Sequence, residues 1–298
     1  MSDVQVIKRV LVAGCGDVGT GVALRFAEDG AQVTGLRRDP SRLPQPIAGY
    51  AGDLANPESL TGLSQQVFDL VIVAASAGGF SAEAYQRVYV NGLSNLLDVL
   101  QGTPSLLLVS STGVYHQHDG EWVDEHSPTC PQGFSGLALL AAEQLLSNRA
   151  PGAFSILRAA GIYGPGRERL LNEVRAGRGV AATPVRYGNR IHREDCIGAL
   201  YFLGSRLLSG QAVDPVYIGV DSDPAPAHEV RRWLADKLGV ELTEIINDSP
   251  VMRGANKRCR NARLLQAGYR FFFPTYREGY TDIIASTSTA APRGSADT

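Results

Sequence analysis

The stretch Val10-Leu11-Val12-Ala13-Gly14-Cys15-Gly16-Asp17-Val18-Gly19 is a short apolar run that turns directly into a glycine-rich loop. An amphipathic segment, Thr20 to Asp29, follows, and Gly30 closes it. Strand, tight turn and helix N-terminus in this order make a cradle for a diphosphate. Gly14 permits the turn, Gly16 lets the backbone approach the phosphates, and Gly19 lets helix and strand pack closely. The helix start adds unpaired N–H groups and a partial positive charge.

Working outward, a second strand, Gln32 to Leu36, ends in Arg37-Arg38. Arg37 lies about twenty residues past Gly14, where the fingerprint expects the group that reads the adenosine ribose. An acid there favours NAD, whereas an arginine pairs with a 2′-phosphate. The spacing therefore predicts NADP, with NAD as the alternative. Arg38 is equally readable as part of a solvated basic turn.

The rest of the chain supports a doubly wound parallel sheet, an α/β Rossmann-type fold. Ile47 to Gly52, Asp69 to Ala75, Ser105 to Ser110, Phe154 to Leu157 and Val216 to Val220 read as strands. Helical patterns alternate with them, as right-handed βαβ units require. Segment 81–101 carries apolar residues mostly at helical spacing. Segment 137–146 is apolar on nearly every face, which predicts cover on two sides by the sheet and by a second lobe or a partner copy. The predicted division is a dinucleotide-binding domain over 1–164, completed by 189–220. A smaller C-terminal substrate lobe takes 165–188 and 221–284, and 285–298 form a disordered tail.

Composition narrows the partners. The 298 residues carry 28 basic and 30 acidic side chains, so nothing points to nucleic acid or an anionic membrane. No apolar run approaches a membrane span, and no leader pattern precedes the first strand, which predicts a cytoplasmic protein. Cys15, Cys130, Cys196 and Cys259 have no metal-ligand spacing and read as free thiols. His116-Gln117-His118-Asp119 lacks further ligands, so no metal site is predicted.

Taken together, the motifs resemble the extended short-chain dehydrogenase/reductases of the NAD(P)-dependent epimerase/dehydratase family, and within it the atypical YeeZ-like branch. The resemblance rests on Gly14 to Gly19, Gly52-Asp53-Leu54, Asp69 to Ala75, Asn91, Ser110 to Tyr115 and Trp122 to Glu125. It continues through Leu157-Arg158, Gly161 to Gly166, Ile191-His192 with Asp195, and Asn256-Lys257-Arg258. It implies a cofactor site of Gly14, Cys15, Gly16, Asp17, Val18, Gly19, Arg37, Arg38, Asp53, Leu54, Ala74, Ala75 and Ser76. It also implies a sugar-like or nucleotide-sugar-like substrate and a possible homodimer through the 81–101 and 137–146 helices.

One family feature is missing. The general base is a tyrosine whose phenolate is stabilised by a lysine four residues on, itself four residues before a glutamate. Aligning that glutamate with Glu143 puts Leu139 at the lysine position and Ser135 at the tyrosine position. Four residues remain as catalytic candidates. Ser111 stands where the family places a substrate-orienting hydroxyl, though a strand-end serine also satisfies local backbone. Tyr115 offers a phenol, Tyr163 lies in the Gly161–Gly166 loop, and His192 is a titrating group three residues before Asp195; each is also readable as a packed residue. Arg158 reads as structural and Asp195 as a helix-start acid. Two readings stay open: an NADP-linked oxidoreductase or epimerase, and a silent dinucleotide sensor.

Overall fold

Alternation along the first strand already dictates a two-faced sheet: Val10 and Val12 face one helical layer, Leu11 and Ala13 the other. The computed structural model describes residues 7–245 and 255–289. Seven parallel strands form the central sheet: β1 (Arg9–Ala13), β2 (Gln32–Arg37), β3 (Ala48–Ala51), β4 (Leu70–Val73), β5 (Ser105–Ser111), β7 (Phe154–Ala159) and β11 (Val216–Gly219). Their spatial order is β11-β7-β5-β4-β1-β2-β3, so the chain reverses direction across the sheet between β1 and β4. Ligands of such sheets bind at the carboxyl ends beside that reversal.

Helices α1 (Asp17–Glu28) and α6 (Arg193–Leu208) cover one face through Val22, Phe26, Leu200 and Leu203. The other face carries α3 (Gly92–Val99) and α4 (Phe134–Arg149) through Leu93, Leu96, Ala142 and Leu146. The 81–101 pattern is not one regular helix. A short α2 (Ala82–Tyr85) runs into a π-helical turn, Gln86–Asn91, before α3 begins.

The two-sided cover expected for α4 is found within the chain itself. Ala142 and Leu146 face the sheet, while Leu139 packs among Ala160, Ile218, Val220 and Cys259. Leu137 is left 52% exposed.

Three short parallel pairs lie outside the sheet: β8 (Gly161–Tyr163) with β10 (Arg190–His192), β6 (Glu121–Val123) with β13 (Lys257–Cys259), and β9 (Arg178–Gly179) with β12 (Glu244–Ile245). A separate apolar cluster joins α5 (Arg169–Arg175), α7 (Ala227–Leu238) and the last helix, Tyr276–Thr289, through Leu171, Val174, Val230, Leu234, Tyr280 and Ile283. That last helix corrects the expected tail: 285–289 are helical, and 290–298 lie outside the described residues. Asp195 anchors the preceding segment, accepting from the Phe272 and Phe273 amides at 2.7 and 2.9 Å and from the Tyr269 hydroxyl at 3.0 Å. Among the described residues, no helix is long and apolar enough to cross a membrane.

A buried ion pair locks β7 to α4. Arg158 Nη2 lies 2.6 Å from Glu143 Oε2, Nε reaches both carboxylate oxygens, and Ser110 donates to Glu143 at 2.6 Å. Removing one partner strands a desolvated charge. Arg158→Met should therefore cost about 3–5 kcal/mol in denaturant unfolding, and Arg158→Met with Glu143→Leu should recover most of it. A single-variant loss under about 1 kcal/mol would show that the pair does not hold β7 to α4.

Candidate dinucleotide site

The glycine loop meets the geometric demands read from its sequence. Gly14 has φ +88°, and a Cβ there would come within 2.4 Å of Ala75 backbone atoms. A Cβ on Gly19 would strike the Gly14 carbonyl at 2.4 Å, so α1 packs directly on the loop. Gly16 is different: nothing lies within 4 Å of its missing Cβ, leaving the backbone open to an incoming group. The Gly14 and Cys15 amides both bond the Leu36 carbonyl, at 3.0 and 3.1 Å, pinning the loop to β2. No side chain caps the start of α1, so its first-turn amides are left for an anion.

From this loop a cleft of about 620 Å³ runs across the carboxyl ends of the strands, in the size range of small-molecule sites. Gly14 to Val18 line its floor; Gly19 lies beneath, as the packing glycine. Arg37, Arg38, Asp53, Leu54, Ala74, Ala75 and Ser76 also line it. At the β2 end, Arg37 Nη1 donates to the Cys15 carbonyl at 3.2 Å, which holds its guanidinium beside the loop. Asp39 is already engaged, by Ser41 at 2.6 Å and by Arg42 at 3.4 Å. A diphosphate-bearing dinucleotide fits this set: open amides at one point, cationic side chains at the β2 end, and an apolar far wall.

That far wall holds Leu139, Val109, Ser110, Ala160, Ile162 and Tyr89. Leu139 thus faces the cleft. None of the chain's three lysines lines it.

The four catalytic candidates are not brought together there. Ser111 stays half-buried at the end of β5, accepting from the Gly113 amide at 3.1 Å. Tyr115 is 1% exposed, its hydroxyl accepts from Arg158 at 2.7 Å, and burial pushes its phenol up to about 12. Tyr163 points away from the cleft because β8 alternates: Ile162 faces it, and Tyr163 stacks on Tyr280 with ring centroids 4.6 Å apart. Burial also raises the Tyr163 phenol. His192 caps α6, its Nδ1 accepting from the Glu194 amide at 3.3 Å, and its ring lies 4.0 Å from Phe273. Burial lowers its pKa, which keeps the imidazole neutral near pH 7. Tyr115, Tyr163 and His192 are thus packing and capping groups in this fold, not cleft groups.

Among the cleft residues that escaped the sequence reading, two stand out. Arg87 and Tyr89 come from the π-helical turn 86–91, which reaches the cleft wall. Tyr89 is the one phenol among the lining residues and packs in the cluster that contains Leu139. Across the cleft mouth, Arg167 donates to Asp17 at 2.6 Å and also lines the cleft.

The sheet order, the reversal beside β1 and the glycine cradle define a Rossmann-type α/β protein. Its sequence matches the description "NAD dependent epimerase/dehydratase family" over residues 10–188, and the chain belongs to that family. A solved structure described as a putative NAD-dependent epimerase/dehydratase from Methylobacillus flagellatus is 35% identical, with a TM-score of 0.79, covering 95% of this chain and 99% of that one. Protein YeeZ of Escherichia coli K12 is 27% identical over 285 residues, covering 90% of this chain and 97% of that protein. UDP-glucose 4-epimerase of Thermus thermophilus, solved in complex with NAD, shares the fold at 18% identity and a TM-score of 0.76, covering 95% of this chain and all of that one (100%).

Gly16→Ala places a methyl group in the open space above the loop. It should leave the unfolding midpoint nearly unchanged while lowering dinucleotide affinity about tenfold to a hundredfold. Calorimetric titration beside a thermal melt checks both; unchanged affinity would remove the loop from the site.

Proposed function

We propose that the chain is an NADP-preferring oxidoreductase or epimerase acting on a small, sugar-like substrate, with an altered proton-handling group. The observation that carries this reading is the continuity of the cleft from the glycine loop to the wall of Leu139, Ser110 and Tyr89. The nucleotide-sugar epimerase that shares its fold suggests the substrate class.

Cofactor preference follows from the β2 end. Arg37, Arg38 and Arg42 gather where a 2′-phosphate would lie, and the nearby carboxylate of Asp39 is occupied. Arg37→Glu should weaken NADP far more than NAD in parallel titrations. Equal losses would remove the preference.

A bound nicotinamide would supply hydride exchange, and the chain's part is to place the substrate oxygen and move its proton. Ser111, at the end of β5 and next in the chain to the cleft residue Ser110 though not itself among the lining residues, is the candidate to orient that oxygen. Tyr89, rather than Tyr115, Tyr163 or His192, is the candidate to carry the proton, since it alone among these rings lines the cleft. Burial raises its phenol, so it serves better as a donor than as a base at neutral pH. Following NADPH absorbance with a panel of aldehydes, ketosugars and nucleotide sugars tests turnover. Tyr89→Phe should lower kcat about 10²-fold, while Tyr115→Phe should lower stability instead. A Tyr89→Phe rate equal to wild type would dismiss the phenol.

A second reading, a silent dinucleotide sensor, is favoured by Leu139, which brings an alkyl group where the family's relay has a cation. Tight binding with no oxidation across the panel would select it. Further parts of the proposal are a two-lobe division near residue 164, a cytoplasmic location, and a homodimer through the 81–101 and 137–146 helices, for which exposed Leu137 is the anchor. Sedimentation at micromolar concentration should then give a dimer that Leu137→Glu dissociates; a wild-type monomer would reject the interface.

A further inference from the structure

Asp17 is an odd residue for a phosphate cradle, because it puts a carboxylate on the first turn of α1 where an anion is to bind. The structure surrounds it with guanidinium groups. Arg167 Nε lies 2.6 Å from Oδ2, and Arg193 Nη1 lies 3.3 Å from Oδ1. Arg193 also pairs with Glu194 at 3.0 Å, and Glu194 with Arg25 at 3.4 Å. Arg167 and Arg193 thus both engage the one carboxylate of Asp17, and Arg193 shares itself with Glu194.

Arg167 is presented by a preformed turn. Its amide bonds the Gly164 carbonyl at 2.9 Å, Pro165 fixes the first central position, and Gly166 at φ +78° supplies the second, as in a type II turn. Arg193 holds the same turn through the Pro165 carbonyl at 3.3 Å. Arg167 also lines the dinucleotide cleft. Its side chain is 40% exposed and that of Asp17 38%, so their ion pair is screened by water and weakly held. A diphosphate offers a guanidinium more charge and a two-pronged geometry.

We propose that Asp17 is a placeholder for the cofactor's diphosphate. In the free protein its carboxylate parks Arg167 over the glycine loop. When the dinucleotide enters, Arg167 transfers to the diphosphate, Asp17 keeps Arg193, and the Gly164–Arg167 turn becomes a strap across the bound cofactor. This rests on the dinucleotide reading of the cleft. It adds a binding residue from outside the fingerprint, and it makes the fingerprint's own aspartate an internal competitor.

The test is titration of the purified chain at low salt with NADP and with adenosine 2′-monophosphate, which lacks the diphosphate. Hydrogen exchange of the segment around residues 164–175 is followed in parallel. Arg167→Ala should weaken NADP about tenfold or more and leave adenosine 2′-monophosphate unchanged. Asp17→Asn should tighten NADP about threefold to tenfold, because the competitor is gone. NADP should slow exchange in the turn of the wild type and of Asp17→Asn, but not of Arg167→Ala. The proposal is overturned if NADP binds Arg167→Ala as it binds wild type, if Asp17→Asn weakens NADP, or if exchange in the turn ignores the ligand. Failure of the underlying reading looks different: the wild type then binds neither NADP nor NAD.

Discussion

The contact of α1 with the loop at Gly14 and Gly19 is the constraint from which the rest of this molecule follows. With only 2.4 Å between the Gly14 carbonyl and the place a Gly19 side chain would occupy, any larger residue pushes the helix off the loop. The first turn of α1 would then no longer aim its amides at the cleft. The same loop bonds the Leu36 carbonyl through two amides, so β2 and its arginines are tied to it as well. One close approach thereby sets the open start of α1 and the position of the β2 end beside it.

Electrostatics around that cradle is layered. A partial positive charge comes from the helix start, and full charges come from Arg37 on one side and from Arg167 and Arg193 on the other. Asp17 tempers this field. By contrast, the far end of the cleft is apolar, and the ion pair behind it, Arg158 with Glu143, is spent on joining β7 to α4 and on holding Tyr115.

The fold and the near half of the cleft, with its glycine loop, were legible in the chain because their signals are local. Glycines at fixed offsets, apolar runs of strand length and an arginine after β2 carry their meaning within a few residues. The far half was not, for two reasons. Strand parity cannot be judged without the register, so Tyr163 reads as a loop aromatic until β8 shows that its neighbour Ile162 takes the cleft side. Tyr89 was hidden by the assumption of a regular helix. The apolar positions Val88 and Leu93 are five apart, a spacing that α-helical periodicity does not produce and a π-turn does. His192 and Tyr115 look like chemistry in sequence because their partners, Phe273 and Arg158, are distant along the chain.

A crystal structure of the chain grown with NADP bears most directly on the account. The diphosphate should lie within hydrogen-bond reach of the amides that open α1, those of Asp17 and Val18, with the nicotinamide ring against Leu139. Density for the dinucleotide elsewhere, or a nicotinamide approached by a lysine amine from another part of the chain, would contradict it.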